Sequence, residues 1–164
     1  YLIAITLYEQ ILDEAKDIDP LLKSKTKIEF FLDNFPNTEY ALDLKFKMDL
    51  INNQLAAKEI YIAKYYISTQ KWIPAINRLK NIVKDYSETV FVEEALHRLV
   101  EVYYEVGLTE EANAAAAILG YNYNSSEWYA QSYKVLNKNY KIKKKSKKKR
   151  DDSLIKKTIK KILN

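Results

Sequence analysis

IAKYYISTQKWIPAINRLKNIVKDYS, residues 62–87, and LVEVYYEVGLTEEANAAAAILGYNYN, residues 99–124, are two versions of one pattern. Ile62, Ala63, Tyr66, Ala75, Leu79 and Ser87 in the first correspond to Leu99, Val100, Tyr103, Ala112, Ala116 and Asn124 in the second. The step from Tyr to the Ala of the second helix is nine residues both times. A large apolar residue, a small one and Tyr on one helix, then Ala and another apolar residue on the next, is the pattern of a tetratricopeptide-like helical hairpin. Small residues are needed where paired helices cross closely, and the Tyr fills the gap beside the neighbouring helix. The Pro that ends the pattern is replaced in both units.

Working outward, three junctions share one order of residue types. Phe35-Pro36-Asn37-Thr38-Glu39-Tyr40, Tyr86-Ser87-Glu88-Thr89-Val90-Phe91 and Tyr123-Asn124-Ser125-Ser126-Glu127-Trp128 each place a Ser or Thr before a new helix, with aromatics on both sides. The hydroxyl is expected to accept from the free N–H groups of the first turn, and the aromatics to pack across it. Helices are then expected at about 1–16, 21–34, 38–69, 72–85, 89–106, 109–119 and 126–137. Gly107 and Gly120 stand where helices should stop, and Pro74 in the first turn of its helix. The long helix carries an apolar stripe of Tyr40, Leu44, Met48, Ile51, Leu55, Ile62 and Tyr66, read as core.

The fold class is therefore all-α, a right-handed solenoid of tetratricopeptide-like hairpins with a long linking helix and a basic C-terminal tail. The expected division is 1–35, a partial repeat; 36–86, the long helix plus a repeat; 87–123, a repeat; 124–137, a capping helix; and 138–164, the tail. Two Gly and three Pro in 164 residues agree with a mostly helical chain. The chain opens within a helical pattern and without Met, so a longer protein is expected.

Composition closes several classes of chemistry. No Cys and a single His remove thiol catalysis and any His- or Cys-based metal site. There is no Gly-rich phosphate loop. Glu93-Glu94 and Glu110-Glu111 are neighbours that open helices, where negative charge offsets the helix dipole. They do not face one another as an acid–base pair, and no nucleophile accompanies them. His97, alone in an amphipathic helix, is read as a structural or a surface residue, not a catalytic one. No enzyme activity, cofactor or small-molecule substrate is expected.

The run Leu55-Ala56-Ala57-Lys58-Glu59, then Tyr65-Tyr66, then Trp72-Ile73-Pro74-Ala75-Ile76-Asn77-Arg78, resembles the BamD family of outer-membrane assembly lipoproteins. So do Phe35-Pro36-Asn37-Thr38-Glu39-Tyr40 and Glu93-Glu94-Ala95-Leu96-His97-Arg98-Leu99, and Leu119-Gly120-Tyr121-Asn122-Tyr123-Asn124-Ser125-Ser126-Glu127-Trp128-Tyr129 looks like the alphaproteobacterial version. The resemblance covers about residues 1–137. It implies a periplasmic lipoprotein of the machinery that folds β-barrels into the outer membrane. Its C-terminal repeats would dock on the membrane-proximal POTRA domain of BamA, and its N-terminal repeats would meet unfolded substrate and BamC. The family's Arg after Asn on a second helix, which pairs with a BamA carboxylate, falls at Arg78. The lipidated Cys and the first repeats have no counterpart here, and the basic tail is not a family feature.

Arg78 is thus the leading candidate contact, with Asn77, Trp72 and Lys71 beside it in sequence. A guanidinium can make two parallel bonds to a carboxylate, which suits a specific interface. Trp72, next to a turn, is a candidate anchor, whereas Trp128 and most of the 14 Tyr are read as packing residues.

Twelve of the 27 Lys and Arg, and two of the 22 Asp and Glu, fall in residues 141–164, so this segment carries +10 and the rest −5. Lys144, Lys148 and Arg150 belong to a run dense enough in like charge to be expected disordered. Asp151-Asp152-Ser153 then precede a short amphipathic helix, with Leu154, Ile155, Ile159 and Ile162 on one face and lysines on the other. An anionic membrane surface or an acidic groove would suit it. Nucleic acid would bind the tail only non-specifically and with strong salt dependence. Another tetratricopeptide adaptor, periplasmic or cytosolic, and a tail-driven nucleic-acid or membrane binder are the alternatives to an assembly scaffold at the periplasmic face of the outer membrane.

Overall fold

The computed structural model describes residues 1–9 and 18–137, and among them the regular structure is all helix, joined by short turns. The helices are α1 (Leu2–Glu9), α2 (Asp19–Asn34), α3 (Glu39–Ser68), α4 (Trp72–Asp85), α5 (Val92–Glu105), α6 (Thr109–Asn122) and α7 (Glu127–Leu136). Consecutive helices pack as antiparallel neighbours, and α7 returns to lie against both α5 and α6. The expected basic tail over 138–164, with its short amphipathic helix, and the end of the first helix lie outside the described residues.

The alanines singled out by the repeat pattern are buried. Ala63, Ala75 and Ala112 have no accessible surface, and Ala116, Leu99 and Tyr103 are almost as enclosed. All of these but Ala75 share one core with Ala56, Ile60, Leu79, Ile82, Ala95 and Val100. Methyl side chains let α3 meet α4, and α5 meet α6, at close range; a longer side chain at these crossings would overpack. Each hairpin turns by the same device. The N–H of Lys71 reaches the carbonyl of Tyr66 (2.8 Å) and that of Gln70 reaches Ile67 (3.0 Å). At the second turn Leu108 reaches Tyr103 (2.8 Å) and Gly107 reaches Tyr104 (3.2 Å). Both are six-to-one and five-to-two closures with a left-handed residue between, Gln70 at φ 55° and Gly107 at φ 83°.

The 30 residues of α3 span about 45 Å. Its first half buries Leu44, Ile51 and Leu55 with Ala4, Leu21 and Ile28 of α1 and α2. Its second half buries Ala56, Ile60 and Ala63 in the repeat core. Tyr86 packs against both cores and joins them. The stripe expected from sequence holds at Leu44, Ile51 and Leu55, but Tyr40 is 47% exposed. Its ring lies 4.8 Å from that of Tyr1 instead.

Three local expectations need correction. Gly120 does not stop a helix: α6 continues through it to Asn122. A Cβ there would sit 2.5 Å from the Tyr129 ring, so the glycine admits the close approach of α7. Of the three hydroxyl caps, only Ser126 accepts from a first-turn N–H, that of Trp128 at 3.1 Å. Thr38 and Thr89 instead donate back to the carbonyls of Phe35 (3.1 Å) and Tyr86 (2.7 Å), closing the turn that precedes the helix. Across the first junction Phe35 pairs with Phe31, 5.2 Å between centroids, and not with Tyr40.

Candidate docking surface

Pro74, third residue of α4, fits the first turn because no N–H is required there. The helix then buries Ala75, Leu79 and Ile82, packs Ile76 partly against the same core and leaves Asn77, Lys80 and Asn81 exposed. Asn77 and Arg78 fall on the flank that faces α3. With Tyr66, Ile73, Pro74 and Asn81 they line a shallow depression of about 400 Å³. Asn77 and Pro74 are exposed and Ile73 keeps 74% of its surface in water.

Arg78 does not stand alone. Its Nη1 donates to Oε1 of Glu59 on α3 at 2.9 Å, and Asn81 Nδ2 reaches the other carboxylate oxygen at 3.5 Å. Glu59 is largely covered (17% exposed), whereas Arg78 keeps 40% of its side chain in solvent. One N–H of five is used, and among the described residues the others have no partner. The pair therefore fixes the guanidinium while leaving most of its donors at the surface. Lys71 and Trp72 occupy the head of α4, Lys71 exposed and Trp72 half-buried, and neither lines the depression. Sequence reasoning brought Asn77 and Arg78 together but missed Glu59, Asn81 and Ile73. Glu59 lies 19 residues before Arg78, and only the hairpin crossing makes them neighbours.

A second polar cluster pins α7 to α5. His97, 2% exposed, shares a 2.9 Å hydrogen bond between Nδ1 and Ser132 Oγ and places Nε2 3.4 Å from Glu101. Its ring lies 5.2 Å from that of Trp128. Arg98 contacts Glu94 and Glu101 and sits 5.8 Å from the same indole. Burial would push the Glu101 carboxyl up, but hydrogen bonds and charge from His97 and Arg98 outweigh it and hold the group below its usual range. Every member is engaged in packing or pairing, which makes this a structural pin.

Among the described residues no group of His, Cys, Asp and Glu could hold a metal, and no helix is long and apolar enough to cross a membrane. Lys144, Lys148, Arg150, Leu154, Ile155, Ile159 and Ile162 lie outside the described residues.

Residues 1–119 match the family described as outer membrane lipoprotein, YfiO. The chain is 40% identical over 139 residues to the outer membrane protein assembly factor BamD of Caulobacter vibrioides, covering 85% of this chain and 46% of that protein. It is 41% identical over 140 residues to the protein of the same name from Rickettsia prowazekii, covering 85% and 55%. The namesake from Vibrio cholerae is 28% identical over 107 residues, 65% of this chain and 44% of the other. The chain thus spans about half the length of these relatives.

Proposed function

The chain belongs to the YfiO family of outer membrane lipoproteins, the BamD group, and on that premise we propose that it is a non-enzymatic scaffold subunit of the β-barrel assembly machinery. Its work is presentation. Stacked hairpins hold the α3–α4 face rigid, and that face docks on the POTRA domain of BamA at the periplasmic side of the outer membrane. Arg78 supplies the specific contact to a BamA carboxylate, Asn77 a neighbouring hydrogen bond, Ile73 and Trp72 apolar area, and Lys71 additional positive charge.

One observation carries this reading: a guanidinium oriented from within by a covered carboxylate, yet with most of its donors in solvent. Preorganisation of this kind lowers the side-chain entropy lost on docking. The repeat core supports it, because a face built on helices with fully buried crossings keeps its geometry. The segment 141–164, with its net +10, adds contact with an anionic membrane surface.

The test is purification of the full-length protein from native membranes. BamA should co-elute with it, and recovery of the protein free of BamA would overturn the proposal. For the tail, anionic liposomes should retain the protein and release it once residues 141–164 are removed; equal retention of both forms would refute that contact.

A further inference from the structure

We infer that the groove between α4, α5 and α6 is a second docking site, taking an amphipathic helical segment of a partner protein whose apolar stripe is edged by carboxylates. The inference rests on the chain's being a docking scaffold, but not on the Arg78 contact.

The groove is the Arg78 depression one repeat later. Adding the repeat length of 37 residues turns Tyr66, Pro74, Asn77, Arg78 and Asn81 into Tyr103, Glu111, Ala114, Ala115 and Ile118, and all five line the groove. Glu59, the partner of Arg78, becomes Leu96, which lies on the groove floor. Where the first repeat places an ion pair, the second places two apolar side chains. The resulting volume, about 430 Å³, is walled mainly by apolar surface. Ile118 stands 46% exposed at its edge, although no crossing holds it there.

The charges around the groove select the occupant. Lys80 and Lys84 are exposed on the α4 edge, one helical turn or about 6 Å apart, and neither has a partner among the described residues. Glu111 is the acidic residue of the lining and belongs to the opposite helix, α6. A helix with an apolar face and carboxylates spaced four residues apart on one edge meets Lys80 and Lys84 with complementary charge. A lysine-edged helix meets like charge there. Asn81 lines both the groove and the Arg78 depression, so the two surfaces are continuous across α4.

The experiment is an NMR titration of the full chain with a synthetic peptide of 14 residues, the length of α4, carrying a leucine stripe and glutamates on one edge. A control peptide has lysines in place of the glutamates. The acidic peptide should move the amide signals of Ala114, Ala115 and Ile118. Ile118→Glu should weaken it by roughly tenfold or more. Lys80→Ala with Lys84→Ala should weaken it about threefold, and Tyr61→Ser, on an exposed position of α3, should leave it unchanged. Equal binding of the lysine peptide, or full binding by the Ile118→Glu protein, would overturn the inference. So would groove signals that move with protein concentration alone, which would put a second copy there. Because Arg78 does not line the groove, failure of the unaltered protein to bind BamA with retained peptide binding would sink the proposed function and leave the groove standing.

Discussion

Tyr66 and Tyr103, Ala75 and Ala112, and the turns at Gln70 and Gly107 are all separated by the same 37 residues, so the hairpins α3–α4 and α5–α6 share one buried plan. Tyr66 and Tyr103 aside, the flanks of their second helices differ. Arg78, Glu59, Asn77 and Asn81 in the first become Ala115, Leu96, Ala114 and Ile118 in the second. The difference separates two kinds of constraint. Where helices cross at Ala75 and Ala112 only a methyl-sized side chain fits, because packing at interior density leaves no slack. Positions on the flank of the second helix are free of that demand, and each repeat carries its own chemistry there.

The largest effect expected from breaking the shared plan is at a core position where the repeats differ in size. Leu79 is fully buried and its counterpart is Ala116, so Leu79→Ala should cost about 2–5 kcal/mol through the cavity it leaves. Chemical denaturation reads this directly, and a loss well below that range would mean that the two hairpins do not share one packed core. Next comes Gly120. An added methyl collides with Tyr129, so Gly120→Ala should destabilise by about 1–3 kcal/mol and loosen α7 first, seen as faster hydrogen exchange in residues 127–136.

The two turns offer a reciprocal pair. Gln70→Gly relieves a left-handed non-glycine residue and should gain roughly 1 kcal/mol, while Gly107→Ala should lose about as much. Thermal melts with the same sign for both would break the equivalence of the turns. Smallest is the ion pair: with Arg78 at 40% exposure, Arg78→Ala should change stability by no more than about 1 kcal/mol. A stability loss several times larger would make the pair a structural fixture and remove the basis for a docking role.

Much of this was legible in the chain itself, and the failures have physical reasons. Small-residue spacing revealed the crossings because only Ala-sized side chains satisfy them, and Gly107 was found because a left-handed turn favours glycine. Gly120 looks the same in sequence, yet its reason is an approach by α7, a contact nine residues later and across a turn. Thr38 and Thr89 could bond forward or back; the choice depends on local geometry that residue type does not encode. Tyr40 carries helical spacing but sits beyond the edge of the α1–α2 core. For the site, the adjacency of Asn77 and Arg78 was readable, whereas the Arg78–Glu59 pair and the second groove require knowing which flank of α4 each residue takes. The groove becomes visible only once the repeats are superposed residue by residue.

In the proposed docking, Glu59 holds Arg78 in place for a partner. Calorimetric titration of the BamA POTRA domain into wild-type, Arg78→Glu and Glu59→Gln proteins tests it most directly. Arg78→Glu should lose roughly tenfold or more in affinity, while Glu59→Gln, which keeps the cation, should stay within about threefold of wild type. Unchanged binding by Arg78→Glu, or an equal loss in both variants, would contradict it.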